Sequence, residues 1–162
     1  MRVLLDTHTL LWWLDGDRRL SLKARRAIAN ESNSILVSAA SAWEITTKAR
    51  LGKLPGARDV AADVAGCVAS QGLTPLDITV LHAQRAGSLA GEHRDPFDRM
   101  LIAQGQLEDM AVVSDDEVFD QYGVRRFWEP GGARTRHHVD IGSTVLRSRA
   151  GSSRPCALPR RT

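Results

Sequence analysis

Cysteine is nearly absent. Cys67 and Cys156 are the only two among 162 residues, and they share no CxxC spacing. Neither a structural zinc site nor a disulfide framework is expected, and a reducing cytoplasm fits such cysteine usage. No stretch of about 18 apolar residues occurs, so no membrane span is expected. The opening residues, Met1 to Asp6, lack the apolar run and small-residue cleavage site of a secretory signal. The five histidines contain no HExxH pair, and no Gly-rich phosphate loop, nucleophile elbow or Cys/His dyad is present. Aromatic residues make up only 5% of the chain. Trp12, Trp13, Trp43 and Trp128 therefore read as core residues before they read as base-stacking platforms. Trp12 and Trp13 are adjacent and cannot both face one side of a helix.

Basic charge is also scarce where a fold is expected. The whole chain carries +3, but residues 1–130 hold 15 Lys and Arg against 18 Asp and Glu, a net of −3. Residues 131–162 hold seven Arg against one Asp, a net of +6. The high pI belongs to that final segment and does not make the remainder a basic nucleic-acid binder. The segment is rich in Gly, Ser, Arg and Pro and has no sustained apolar period, so a disordered basic tail is expected over 131–162. The length suits a single domain over 1–130, long enough for a substantial core.

Apolar runs and helical spacings alternate along that domain. Strands are expected at 2–6, 34–38, 73–76, 110–114 and 124–127. Helices are expected at 8–15, 18–30, 39–51, 58–70, 79–89, 96–107 and 116–122, with Gly52 stopping the third and Pro96 opening the sixth. Strands alternating with helices imply an α/β fold with a central parallel sheet covered on both faces. In such sheets, sites form beyond the carboxyl ends of the strands.

Four acids stand against apolar runs: Asp6 in VLLDTHTLLWWL, Glu44 in LVSAASAWEI, Asp98 in HRDPFDRMLIAQ and Asp116 in AVVSDDEVF. Each has an ordinary structural reading. Asp6 suits an N-cap, worth about 1 kcal/mol. Glu44 precedes Lys48 by four residues, an i,i+4 ion pair of about 0.3–0.5 kcal/mol. Asp95 suits the N-cap before Pro96, with Asp98 at the third helical position. Ser114 to Glu117 (SDDE) suits a capping box that leaves Asp115 and Asp116 in the first turn. These readings leave unexplained why all four acids lie at helix starts on the same expected sheet edge. A convergent set of carboxylates is offset by a bound cation, and an all-oxygen set suits Mg²⁺ or Mn²⁺.

With these motifs in place the chain resembles PIN-domain ribonucleases and, among them, the VapC-type toxins of bacterial toxin–antitoxin pairs. The resemblance covers about residues 2–128 and rests on LLDTHTLLWWL, SAASAWEITTKARLGKL, HRDPFDRMLIAQ and VVSDDEVFDQYGV. It implies a three-layer α/β/α sandwich and Mg²⁺- or Mn²⁺-dependent endoribonuclease activity by metal-activated water. It also implies an RNA substrate and a cognate antitoxin partner; the apolar helices suit a homodimer. The family's acidic residues carry over as Asp6, Glu44, Asp98 and Asp116, in both metal-binding and catalytic roles. Asp95 and Asp115 stand beside them as accessory candidates, and Ser114 falls where the family commonly has threonine.

Rival classes fit less well. A haloacid-dehalogenase-like phosphotransferase wants a second aspartate two residues after Asp6, where this chain has His8. A receiver-type module wants a phosphoacceptor after the middle strand, and SILVS leads instead into SAASAWE. A PIN-like RNA- or partner-binding module without cleavage is the alternative, and the presence of all four acids argues against it.

Overall fold

The computed structural model describes residues 1–129. The basic tail expected over 131–162 lies outside the described residues. The elements run β1 (Arg2–Leu5), α1 (Thr7–Asp15), α2 (Leu22–Ala29), β2 (Ser34–Ser38), α3 (Ala39–Arg50), a 3₁₀ turn (Pro55–Ala57), α4 (Arg58–Ala62), α5 (Val64–Ser70), β3 (Thr74–Leu76), α6 (Val80–Ser88), α7 (Pro96–Leu107), β4 (Ala111–Val113) and α8 (Val118–Gln121). The four strands form one parallel sheet in the order β3-β2-β1-β4.

Alternation along β1 builds two cores. Val3 and Leu5 point to a face shared with Ile35, Val37 and Val113, covered by Leu10 and Leu14 of α1, Ile28 of α2 and Ile45 of α3. Leu4 points the other way, with Leu36 and Val112, onto Leu101 and Ile102 of α7 and Phe119 of α8. Helices therefore cover both faces of the sheet, and the expected three-layer α/β/α sandwich is the observed one.

Three expectations need correction. The second helix begins at Leu22, not at residue 18: Ser21 caps it by accepting from the Ala24 N–H, while Asp17 holds the Arg19 side chain in the turn before it. The helix expected over 58–70 is two helices. Asp63 sits between them outside the helical conformation (φ −153°, ψ 70°), and its carboxylate accepts from the Gly66 N–H, so a cap outcompetes helix continuation. The strand expected at 124–127 is a single bridge between Val112 and Arg126, with Val112 N–H donating to the Arg125 carbonyl and Phe127 N–H to the Val112 carbonyl. Cys67 is buried in α5; the expectation about a disulfide also concerns Cys156, which lies outside the described residues.

Gly52 ends α3 as expected. Its φ of 72° lies in the left-handed region, where only glycine is unstrained. Trp12, Trp13 and Trp128 pack against the first core, but Trp43 does not: it is 56% exposed.

Candidate active site

The parallel sheet brings distant acids to one edge. β1 delivers Asp6 directly after Leu5, and β4, paired with β1 so that Leu5 faces Val113, delivers Ser114 beside it. The Asp6 N–H donates to the Val113 carbonyl at 3.2 Å. The Ser114 hydroxyl, fully buried, donates to Asp6 Oδ2 at 2.7 Å and accepts from the Asp116 N–H at 3.0 Å. Ser114 is thus a strut between two of the acids and not the opening of a capping box. Asp116 is exposed, and its carboxylate caps α8 by accepting from the Val118 N–H.

Glu44 comes from α3, which starts directly after β2. It is only 3% exposed, so the surface ion pair expected with Lys48 is a buried one: Lys48 Nζ donates to Glu44 Oε1. Burial alone would lower the Lys48 pKa, but the Glu44 contact and the charges of Asp95 and Asp98 outweigh it and hold the ammonium above its ordinary value. A little further along the same helix edge, the Thr7 hydroxyl donates to Ser41 Oγ at 3.0 Å, tying α1 to α3.

Asp98 comes from the first turn of α7. Asp95 caps this helix as expected, its Oδ1 accepting from the N–H groups of Phe97 and Asp98. Asp98 Oδ2 lies 2.8 Å from His93 Nε2. The loop carrying His93 is fixed by Arg99, whose guanidinium donates to the carbonyls of Ala86, Leu89 and His93.

Electrostatics show how closely these groups are gathered. The Asp98 pKa is pushed up to about 8, by burial first and then by the negative charges of Asp95, Asp6, Glu44 and Asp116. Asp6 is likewise raised, chiefly by burial and further by Glu44 and Asp115, while His8 and the Ser114 hydrogen bond oppose the shift. Asp6, Glu44 and Asp116 therefore all act on Asp98, beside the stronger charge of Asp95, while Glu44 and Asp115 act on Asp6. Such a set is poorly stable as carboxylates alone and chemically fits a hard divalent cation. Among the described residues no three His, Cys, Asp or Glu side chains are already drawn to ligating distance. Glu44 is turned onto Lys48 and Asp98 onto His93.

Residues 3–124 match a known family model, that of the PIN domain. The chain belongs to the PIN domain family. Over 60 residues this PIN domain is 42% identical to ribonuclease VapC16 of Mycobacterium tuberculosis, a match covering 37% of the chain and 43% of that protein. The chain thus spans under half the length of this curated relative. It also superposes on a chain of the crystal structure of VapBC2 from Rickettsia felis bound to a DNA fragment from their promoter, with a TM-score of 0.58. That superposition covers 78% of this chain and 96% of the other, at 14% identity, and is a likeness of fold.

Reading the sequence missed the place of His93 and the role of Ser114 in this site. His93 carries no ligand spacing, and only the loop anchored by Arg99 brings it to Asp98. Ser114 had a signal, a small hydroxyl directly after a buried strand, but its role depends on β4 lying beside β1. Among the described residues no helix is long and apolar enough to cross a membrane.

Proposed function

We propose that this PIN domain is a Mg²⁺- or Mn²⁺-dependent endoribonuclease acting in the cytoplasm as the toxin of a toxin–antitoxin pair, with Asp6, Glu44, Asp98 and Asp116 holding the cation. The observation that carries the reading is the gathering of Asp6, Glu44 and Asp116 about Asp98, where their charges add to burial and to Asp95 in pushing its pKa up to about 8. The partial relative named a ribonuclease and the VapBC neighbour support the same reading. When bound, the cation would neutralise the carboxylates, lower the pKa of water and stabilise charge on the leaving oxygen.

The chain's own residues prepare that chemistry. Ser114 orients Asp6 by donating to one oxygen, which leaves the other for the cation. Its second hydrogen bond, from the Asp116 N–H, fixes the turn that carries Asp116 out of β4. Lys48 is paired with Glu44 and His93 is hydrogen-bonded to Asp98, and both stand at the rim where a phosphate would arrive. Exposed basic residues nearby would make RNA binding salt-dependent, and the need to reach a phosphate at a recessed edge favours a single-stranded segment.

An antitoxin fits the same site by chemistry: a basic side chain placed among these acids is the simplest inhibitor. Homodimerisation, and a division into a nuclease domain over 1–130 with a separate basic tail, belong to the same proposal. A non-cleaving PIN module is the second reading, favoured by the lysine and histidine already paired with Glu44 and Asp98.

Cleavage of cellular RNA with added Mn²⁺, compared between the intact protein and Asp98→Asn, tests the choice. The nuclease reading expects cutting that EDTA stops and that the variant lacks while its circular dichroism stays native. RNA binding without cutting, under any divalent ion, would establish the second reading.

A further inference from the structure

Among the described residues one large aromatic side chain is mostly exposed. Trp43 on α3 is 56% exposed, and its ring meets that of Phe97 on α7 at 4.9 Å between centroids, edge to face at 73°. Trp43 immediately precedes Glu44, and Phe97 immediately precedes Asp98. The pair therefore bridges the two helices that deliver two of the four acids, one residue from each. Lys48 Nζ lies 5.7 Å from the centre of the Phe97 ring while donating to Glu44. A rigid aromatic surface, a cation and a carboxylate cluster thus share one rim.

We propose that Trp43, braced by Phe97, is a stacking subsite for an unpaired nucleobase next to the scissile phosphate. The inference rests on the ribonuclease reading and adds to it a contact that positions the substrate. Three features favour a nucleobase as occupant. Edge-to-face packing fixes the indole through Phe97, so little side-chain freedom is lost on binding. Stacking on an indole face accepts any base, and suits single-stranded RNA whose bases can be splayed out. The adjacent Lys48 supplies the positive charge that a phosphate leaving this platform toward the acids would meet, where the acids themselves would repel it. An aliphatic protein segment would use the apolar surface but not that combination.

The test uses the full chain with Mn²⁺ and an RNA oligonucleotide spanning a mapped cut, made intact and with an abasic ribose at each position in turn. For the wild type, one abasic position beside the cut should weaken binding by roughly 5- to 100-fold, the range expected for loss of one base–aromatic stack. Trp43→Ala should lose the same factor on intact RNA and lose nothing more at that abasic position, with Mn²⁺ affinity and melting temperature unchanged. Trp43→Phe should retain most of the affinity. Wild-type binding by Trp43→Ala, or a loss that adds to the abasic loss, overturns the subsite. So does a changed sedimentation state with unchanged RNA affinity, which would make Trp43 an interface between protein chains. If Trp43→Ala does not fold, the abasic scan of the wild type and Trp43→Phe still decide: no sensitive position, or an undiminished sensitivity in a Phe variant that binds tenfold worse, refutes it. Failure of the wild type to cut RNA would instead remove the ribonuclease reading itself.

Discussion

Ser114 shows how much a single hydroxyl can decide at the scale of one residue. It is completely buried and spends its proton on Asp6 and a lone pair on the Asp116 N–H. Ser114→Ala keeps the size but frees Asp6 to rotate and leaves a buried carboxylate short of a donor. Outer partners of metal-binding groups typically contribute about 10- to 100-fold to metal affinity or activity. A loss in that range is expected for Mn²⁺ affinity, measured by titration calorimetry, and Ser114→Thr should restore most of it. Unchanged affinity would reduce Ser114 to a packing residue. The acids themselves could be read from the sequence, because carboxylates beside apolar runs need a partner wherever they lie. What holds each acid could be read only in part. The Glu44–Lys48 pair follows from spacing along one helix, and so does the Asp95 cap. The Ser114 strut and the His93 contact depend on strand order and on the loop pinned by Arg99. Trp43 was misassigned to the core because exposure of a tryptophan leaves no local trace in a helical pattern.

At the scale of elements, the N-terminus of α7 serves two purposes that can be separated. Asp95 caps the helix and also raises Asp98 by its charge. Asp95→Asn keeps a capping oxygen and removes the charge, so it should leave thermal stability nearly unchanged and lower the Asp98 pKa. Asp95→Ala removes both and should cost about 1 kcal/mol of stability. Carboxyl resonances followed by NMR across pH, together with thermal melts, would distinguish the two; identical behaviour of the variants would mean that the cap and the charge do not act independently. Element types were legible because strand and helix periods differ sharply here. Boundaries were less so where a side chain competes with the backbone, as Asp63 does in dividing α4 from α5. The bridge at Arg126 escaped for a different reason, since the run to Phe127 is strand-like in sequence but turns away from β4 after one pairing.

At the scale of the whole molecule, the gathered acids set how stability responds to pH. Asp98 titrates near 8 in the fold against 3.8 as a free carboxyl, so the folded state holds its proton more tightly than the unfolded chain does. The stabilising contribution from that proton is complete below about pH 4 and is lost as pH rises toward 8. Asp6 is shifted in the same direction. In EDTA the protein should therefore melt several degrees lower at pH 8.5 than at pH 5.5, and Asp98→Asn should flatten that slope. Adding Mn²⁺ should raise the melting temperature more at the higher pH, where both carboxylates are charged. A melting temperature that rises with pH in EDTA would contradict this account of the acids. The sheet margins have a separate consequence. β3, the outer strand beside β2, carries Pro75, which has no N–H to offer a further strand, and the Val112–Arg126 bridge occupies part of the opposite margin beside β4. Among the described residues both margins of the sheet are therefore poor templates for adding another chain, which disfavours edge-to-edge pairing of copies into fibrils.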